Sequence, residues 1–165
     1  MIKYLITFLP LILSFVNTQL FVGNYKNHDK WYRNLYKPKE TPPSWSFGVV
    51  WPILYLLMGI ALSKINKIDQ CHIFDKMCAP LIYFFIQLFL NYLWPILFFK
   101  KKNLKLSLYT IIVLLFFVMK TYWNFKIYDE SASEYLIPYV LWIIYATFLN
   151  YKIEKLNRNR DNIKN

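Results

Sequence analysis

Five stretches free of charged side chains constrain this chain more than anything else in it. Tyr4–Tyr25 runs 22 residues without an Asp, Glu, Lys or Arg, Thr41–Ser63 and Met77–Phe99 run 23 each, and Tyr135–Tyr151 runs 17. Leu106–Met119 adds 14 and continues apolar past Lys120 to Phe125, where a long lysine stem can carry its ammonium to the headgroups. About 20 apolar residues cross a bilayer as a helix, and roughly 17 is near the lower limit. Tyr4–Tyr25 is too long for the apolar core of a signal peptide, and no small-residue cleavage site follows it, so it reads as a spanning helix. The prediction is an all-α membrane protein, a bundle of five transmembrane helices at about 4–25, 43–63, 77–99, 105–125 and 135–153, with a loop over 26–42 and a tail over 154–165. One domain takes up all 165 residues. The tail's end, "NRNRDNIKN", reads as frayed and solvated.

A net charge of +11 invites a nucleic-acid reading, but its layout points elsewhere. Five spans make the loops alternate sides. The N-terminus and the second and fourth loops hold six basic residues, while the first and third loops and the tail hold fourteen. The positive-inside rule then puts the C-terminus in the cytosol and the N-terminus outside it. The acidic residues split five to four and carry no orientation. Membrane lipids, anionic ones included, are the expected partners of this charge, and nucleic acid is not.

Within the spans, polar and small residues recur at helical spacing. Thr7, Pro10, Ser14 and Asn17 form one stripe, Trp51, Tyr55 and Gly59 a second, and Gln87, Asn91, Trp94 and Phe98 a third. Pro138, Trp142, Ala146 and Asn150 follow strict i+4 spacing. Hydrocarbon offers polar groups no partner, so such stripes face the bundle interior. Interhelical glue is the plain reading of the amides, and a headgroup belt that of a single tryptophan; Trp45 fits the belt, whereas Trp51 and Trp142 lie a turn or two inside. The uncharged cores hold no Asp, Glu or His, and no HExxH, phosphate loop or CxxCH appears. Cys71 and Cys78, with His72 between them, read as loop residues and not as metal ligands. An interior of amides and large rings suits a flat, apolar ligand.

The first loop is the odd segment. In "WYRNLYKPKETPPSWSFGVVW", Asp29 can cap a short helix with Trp31, Tyr32, Leu35 and Tyr36 on one face, Pro38 ends it, and Pro42 and Pro43 stiffen the entry to the second helix. The result is a lid, aromatic below and cationic above; the plainer alternative is an interfacial anchor without a ligand. This stretch, "WYRNLYKPKETPPSWSFGVVWPILYLLMG", resembles the first-loop signature of the translocator protein family, also called tryptophan-rich sensory proteins or peripheral-type benzodiazepine receptors. "QLFLNYLWPILFF" and "IPYVLWIIYATFLNY" agree with two further blocks in the third and fifth helices, so the resemblance runs from about Trp31 to Tyr151.

That resemblance implies a five-helix bundle, commonly a homodimer, whose cytosolic lid covers a ligand cavity. Family members bind porphyrins and benzodiazepine-type or isoquinoline ligands, and animal members bind cholesterol. By motif match Trp51 and Trp142 line the cavity, Asn91, Trp94 and Phe98 form its third-helix wall, Ala146 is a small position touching ligand, and Tyr32, Pro42 and Pro43 belong to the lid. Tyr55, on the Trp51 stripe, joins the expected ligand-binding set, and Arg33, Lys37 and Lys39 are candidates for a porphyrin's propionates. A sterol pattern falls on Leu149, Tyr151 and Lys155, a loose signal by itself. Two departures stand out: Val49 replaces the proline of FGPVW, with Pro52 following Trp51, and the first helix lacks the family's usual glycines.

Three functions are carried forward. The first is a receptor or carrier for tetrapyrroles, with protoporphyrin IX or haem as ligand and no covalently held cofactor or metal. The second is light- and oxygen-dependent porphyrin degradation, with Trp51 and Trp142 as its catalytic residues. The third is a membrane scaffold that binds partners. The resemblance implies the mitochondrial outer membrane for a eukaryotic chain and the cell membrane for a bacterial one.

Overall fold

The computed structural model describes residues 2–22, 30–43, 45–73 and 76–163. Helix α1, Ile2–Asn17, ends in a wide π-helical turn, Thr18–Val22. Helix α2 is Trp45–Ile65, and α3 is Ala79–Pro95, continued by a second π-helical turn, Ile96–Lys100. Helix α4 is Leu104–Tyr128, α5 is the short Glu130–Glu134, and α6 is Ile137–Ile163. Five of these helical segments are long and apolar enough to span a membrane, as the uncharged stretches require. Leu13, Phe89, Phe116 and Leu141 point outward from the bundle, where lipid would solvate them.

The helix ends follow local chemistry. Pro80 opens α3 in its first turn, where a missing N–H costs no hydrogen bond. The Asn103 side chain accepts the Leu106 N–H at 2.9 Å and caps α4, after a tight connection in which Lys102 takes a left-handed φ of 54°. Asp129 caps α5 by accepting from the Ala132 N–H at 3.1 Å. Pro95 deprives the Asn91 carbonyl of its helical donor, and the chain answers with the wider turn that follows. Pro52, by contrast, lies inside α2 with no break in it, and Val49 faces out at 52% exposure.

Packing is closest between α3 and α4, between α1 and α2, and between α4 and α6. At the α1–α2 crossing a Cβ added to Gly59 would sit 1.7 Å from the Thr7 carbonyl oxygen. What approaches this small residue is therefore the backbone of α1. Phe84 of α3 stacks on Phe125 of α4 at 5.8 Å, and Met58, Leu62 and Ile65 of α2 are fully buried. Helix α2 meets α3 and α6 at few backbone points. Large side chains fill that gap.

Three expectations change. Helix α6 continues ten residues past 153, so most of the tail expected to fray is helical, with Glu154 and Asn157 buried. Cys71 and Cys78 are joined in a disulfide, because the paired backbone of His72 and Lys76 turns the chain and brings their Cα atoms to 5.1 Å. The lid helix is a single turn over residues 30–33, extended by N–H bonds from Asn34 to Trp31 and from Leu35 to Tyr32. Trp31, Tyr32 and Leu35 are half-buried, while Tyr36, expected on the same face, is 57% exposed. Asp29, the expected cap, lies outside the described residues.

Candidate functional site

The space between α2, α3 and α6 is built from rings held by a line of hydrogen bonds. One helical turn separates Trp51 from Tyr55, and their rings stack at 5.5 Å with 28° between planes. Trp142 of α6 meets Trp51 edge to face at 6.4 Å, and Phe47 meets Trp142 in the same manner at 6.1 Å. The quadrupoles of aromatic rings favour such offset and perpendicular arrangements, each worth about 0.5–1.5 kcal/mol beyond burial.

Below these rings the Tyr55 hydroxyl donates to Asn91 Oδ1 at 2.6 Å. The Asn91 amide donates to the Tyr139 hydroxyl at 3.0 Å, and that hydroxyl donates to Gln87 Oε1 at 2.7 Å. All four side chains are buried, so the chain joins three helices through groups with no access to solvent. It also leaves donors over. Gln87 Nε2 and Trp142 Nε1 are both buried without a partner. A buried N–H left unpaired costs about 1–3 kcal/mol, so both atoms favour an acceptor brought from outside the chain.

A second group of rings lies under the lid. Trp94 stacks on Phe98 at 4.9 Å, which the wide turn after Pro95 carries to the interior, and Trp94 Nε1 donates to Asn150 Oδ1 at 2.8 Å. Trp31 stands edge-on to Phe98 at 5.6 Å, and Tyr32 lies 6.1 Å from Phe98 and 5.9 Å from Phe99. Helix α1 closes the remaining side: the Tyr92 hydroxyl donates to the Pro10 carbonyl at 2.6 Å, and Asn17 donates to the Tyr92 carbonyl at 3.2 Å.

The expected residues thus divide by location. Trp51, Tyr55, Asn91 and Trp142 gather around one set of rings, Tyr32, Trp94 and Phe98 around the other, and half-buried Ala146 packs against the same core. Pro42 is half-buried and Pro43 exposed, on the chain leading into α2. Lys37 Nζ donates to the Tyr32 carbonyl at 2.9 Å and lies 4.4 Å above the Tyr32 ring, while Arg33 and Lys39 are exposed. Tyr151 and Lys155 are exposed together, but Leu149 of the sterol pattern is buried, so the three share no surface. Pro138 is exposed, which takes it off the inward stripe.

Sequence reasoning passed over Tyr139, the hub of the polar chain. Its signal was the alternating four- and three-residue spacing Tyr139, Ile143, Ala146, Asn150, Ile153, Asn157, which stays on one face, whereas strict i+4 steps drift by about 40° each. Among the described residues no three His, Cys, Asp or Glu side chains gather as a metal site would require. A cleft of about 400 Å³, lined by Ile68, Asp69, Gln70, Ile127 and Tyr128, lies at the second-loop end of the bundle, away from the rings. The aromatic site is the better candidate, because it combines stacking faces with unpaired donors. At the lid, the Glu40 carboxyl is held below the usual carboxylate range by its own backbone N–H and by Lys152, whose Nζ lies 3.1 Å away.

Comparison with known proteins agrees with this architecture. The family profile described as TspO/MBR matches residues 6–156. A protein named "Tryptophan-rich protein TspO" from Archaeoglobus fulgidus is 42% identical over 141 residues, covering 83% of this chain and 88% of its own. A "Tryptophan-rich sensory protein" from Cereibacter sphaeroides is 35% identical over 132 residues, 80% of each chain. The "Translocator protein" of Homo sapiens is 31% identical over 140 residues, covering 83% and 82%. Five membrane-spanning helices, the ringed interior and a profile match over nearly the whole length lead to one conclusion: the chain belongs to the TspO/MBR family of integral membrane proteins.

Proposed function

We propose that this protein is a membrane receptor or carrier for porphyrin-type ligands, held between α2, α3 and α6. The observation that carries the reading is the unpaired buried donor Trp142 Nε1 within the ring cluster, with a second one, Gln87 Nε2, on the polar chain below it. A flat tetrapyrrole offers π-faces for Trp51 and Trp142, acceptor atoms for the donors, and carboxylates for the basic lid. Benzodiazepine-type ligands share the first two properties. Binding is preferred over oxidative breakdown because, among the described residues, the rings packed on Trp51 and Trp142 are Phe47, Tyr55 and Tyr145 and bring no carboxylate, imidazole or amine, so that chemistry would belong to the ligand. A homodimer in the bilayer, with anionic lipid at the basic loops, completes the reading.

The orientation is part of the same proposal: C-terminus and lid in the cytosol, second loop outside it. Charge bias supports it. So does the Cys71–Cys78 disulfide, since such bonds persist in oxidising compartments and are reduced in the cytosol.

The test is a dark equilibrium titration of the purified protein with protoporphyrin IX, following the Soret band, in wild type and in the Trp51→Phe, Trp142→Phe double variant. Losing two indole faces and the unpaired Trp142 donor predicts binding weaker by at least about tenfold. Binding indifferent to both changes removes the site, and turnover under illumination that needs both tryptophans favours the oxidative reading.

A further inference from the structure

Beyond its last apolar stretch α6 continues as "KIEKLNRNRDNI" to Ile163, and Ile153, Glu154 and Asn157 on its inward side are buried. Asn157 is only 5% exposed. A buried carboxamide needs partners for both its oxygen and its nitrogen. Asn157 Oδ1 accepts the backbone N–H of Tyr36 at 3.1 Å, and Asn157 Nδ2 donates to the Tyr36 carbonyl at 2.9 Å and to the Ile153 carbonyl at 2.7 Å. One side chain therefore engages both backbone groups of a single lid residue, as the edge of a neighbouring β-strand would.

Two more contacts join the same elements. The Tyr145 hydroxyl donates to the Glu40 carbonyl at 2.5 Å, and Lys152 Nζ reaches the Glu40 carboxylate at 3.1 Å. Of the three tying residues only Asn157 is buried, so its bonds are the ones shielded from competing water. The tied segment follows directly on Trp31 and Tyr32, whose rings cover Phe98. Opening the lid requires separating it from α6.

We propose that Asn157 is a positioning residue that latches the lid over the aromatic site, so that the extended end of α6 sets how fast a ligand enters and leaves. The ligand half of this statement rests on the function proposed above; the latch itself does not. Aspartate keeps the acceptor but loses both donors and adds a buried charge, and alanine loses everything.

The experiment uses the full chain in nanodiscs, as wild type, Asn157→Ala and Asn157→Asp. Hydrogen exchange is read at the Tyr36 amide and at amides of α2 and α3, and protoporphyrin IX association and dissociation are followed by stopped flow. Both variants are expected to exchange the Tyr36 amide at least about tenfold faster, with α2 and α3 unchanged, and to raise both ligand rates by a similar factor while the dissociation constant moves less. A change confined to helix stability would alter exchange in α6 and leave the ligand rates alone. Unchanged Tyr36 exchange overturns the latch, and faster exchange with unchanged rates overturns its control of the ligand. If wild type shows no saturable protoporphyrin IX binding, the function reading fails and the exchange result alone decides the latch.

Discussion

Tyr139 is where α6 joins the polar chain, its one oxygen bonded to two side chains of α3. Its hydroxyl accepts from Asn91 and donates to Gln87, and Asn91 in turn accepts from Tyr55. Tyr139→Phe keeps the ring but leaves the Asn91 amide and the Gln87 oxygen short of a partner, at about 1–3 kcal/mol. The expected outcome is a lower melting midpoint in detergent together with weaker porphyrin binding, because Tyr55 and Trp51 lose their anchor; an unchanged midpoint would show that the chain is not structural. Gly59 matters for a different reason. A methyl group there meets the Thr7 carbonyl oxygen at 1.7 Å, and that partner is backbone, so no side-chain rotation relieves it. Gly59→Ala is predicted to cost about 3 kcal/mol, the upper end for overpacking, by separating α1 from α2. Thermal unfolding in detergent reads that directly, and a variant as stable as wild type would mean that the helices do not cross there.

Among the elements, those whose residues face lipid or core were legible from sequence, and those set by one specific pairing were not. The five spans follow from uncharged runs, and the Thr7–Asn17, Trp51–Gly59 and Gln87–Phe98 stripes turn inward as their spacing requires. The end of α6 was illegible because "NRNRDNIKN" is hydrophilic, and composition cannot reveal that Asn157 is matched by a lid backbone 121 residues earlier. The second loop was illegible because two cysteines seven apart say nothing until the intervening turn is known. That bond closes a short loop, and in the chain-entropy account it stabilises by about 2–3 kcal/mol. Cys71→Ser with Cys78→Ser should therefore lower the melting midpoint, as should reductant on wild type but not on the variant; equal midpoints throughout would mean that the thiols are free.

At the scale of the whole molecule the design is a bundle whose helices are tightly packed in three places and held apart in a fourth. Close backbone contact joins α1 to α2, α3 to α4 and α4 to α6, while α2 stands off from α3 and α6 across a layer of rings. The lid and the end of α6 close one end, and the stapled second loop closes the other. This division was half legible. Aromatic stripes announced the layer, but the strict i+4 reading of the fifth span put exposed Pro138 inside and left Tyr139 out.

The central claim, that a flat acceptor-bearing ligand enters this layer, is tested most directly at the indole N–H groups. In protein carrying ¹⁵N-labelled tryptophan, protoporphyrin IX is added in the dark and the six indole resonances are followed by NMR. The account predicts saturable shifts at Trp142, whose N–H gains an acceptor, and at Trp51, with little change at Trp123, which faces outward at 54% exposure. Shifts confined to outward-facing tryptophans, with Trp51 and Trp142 unmoved at saturation, would contradict it.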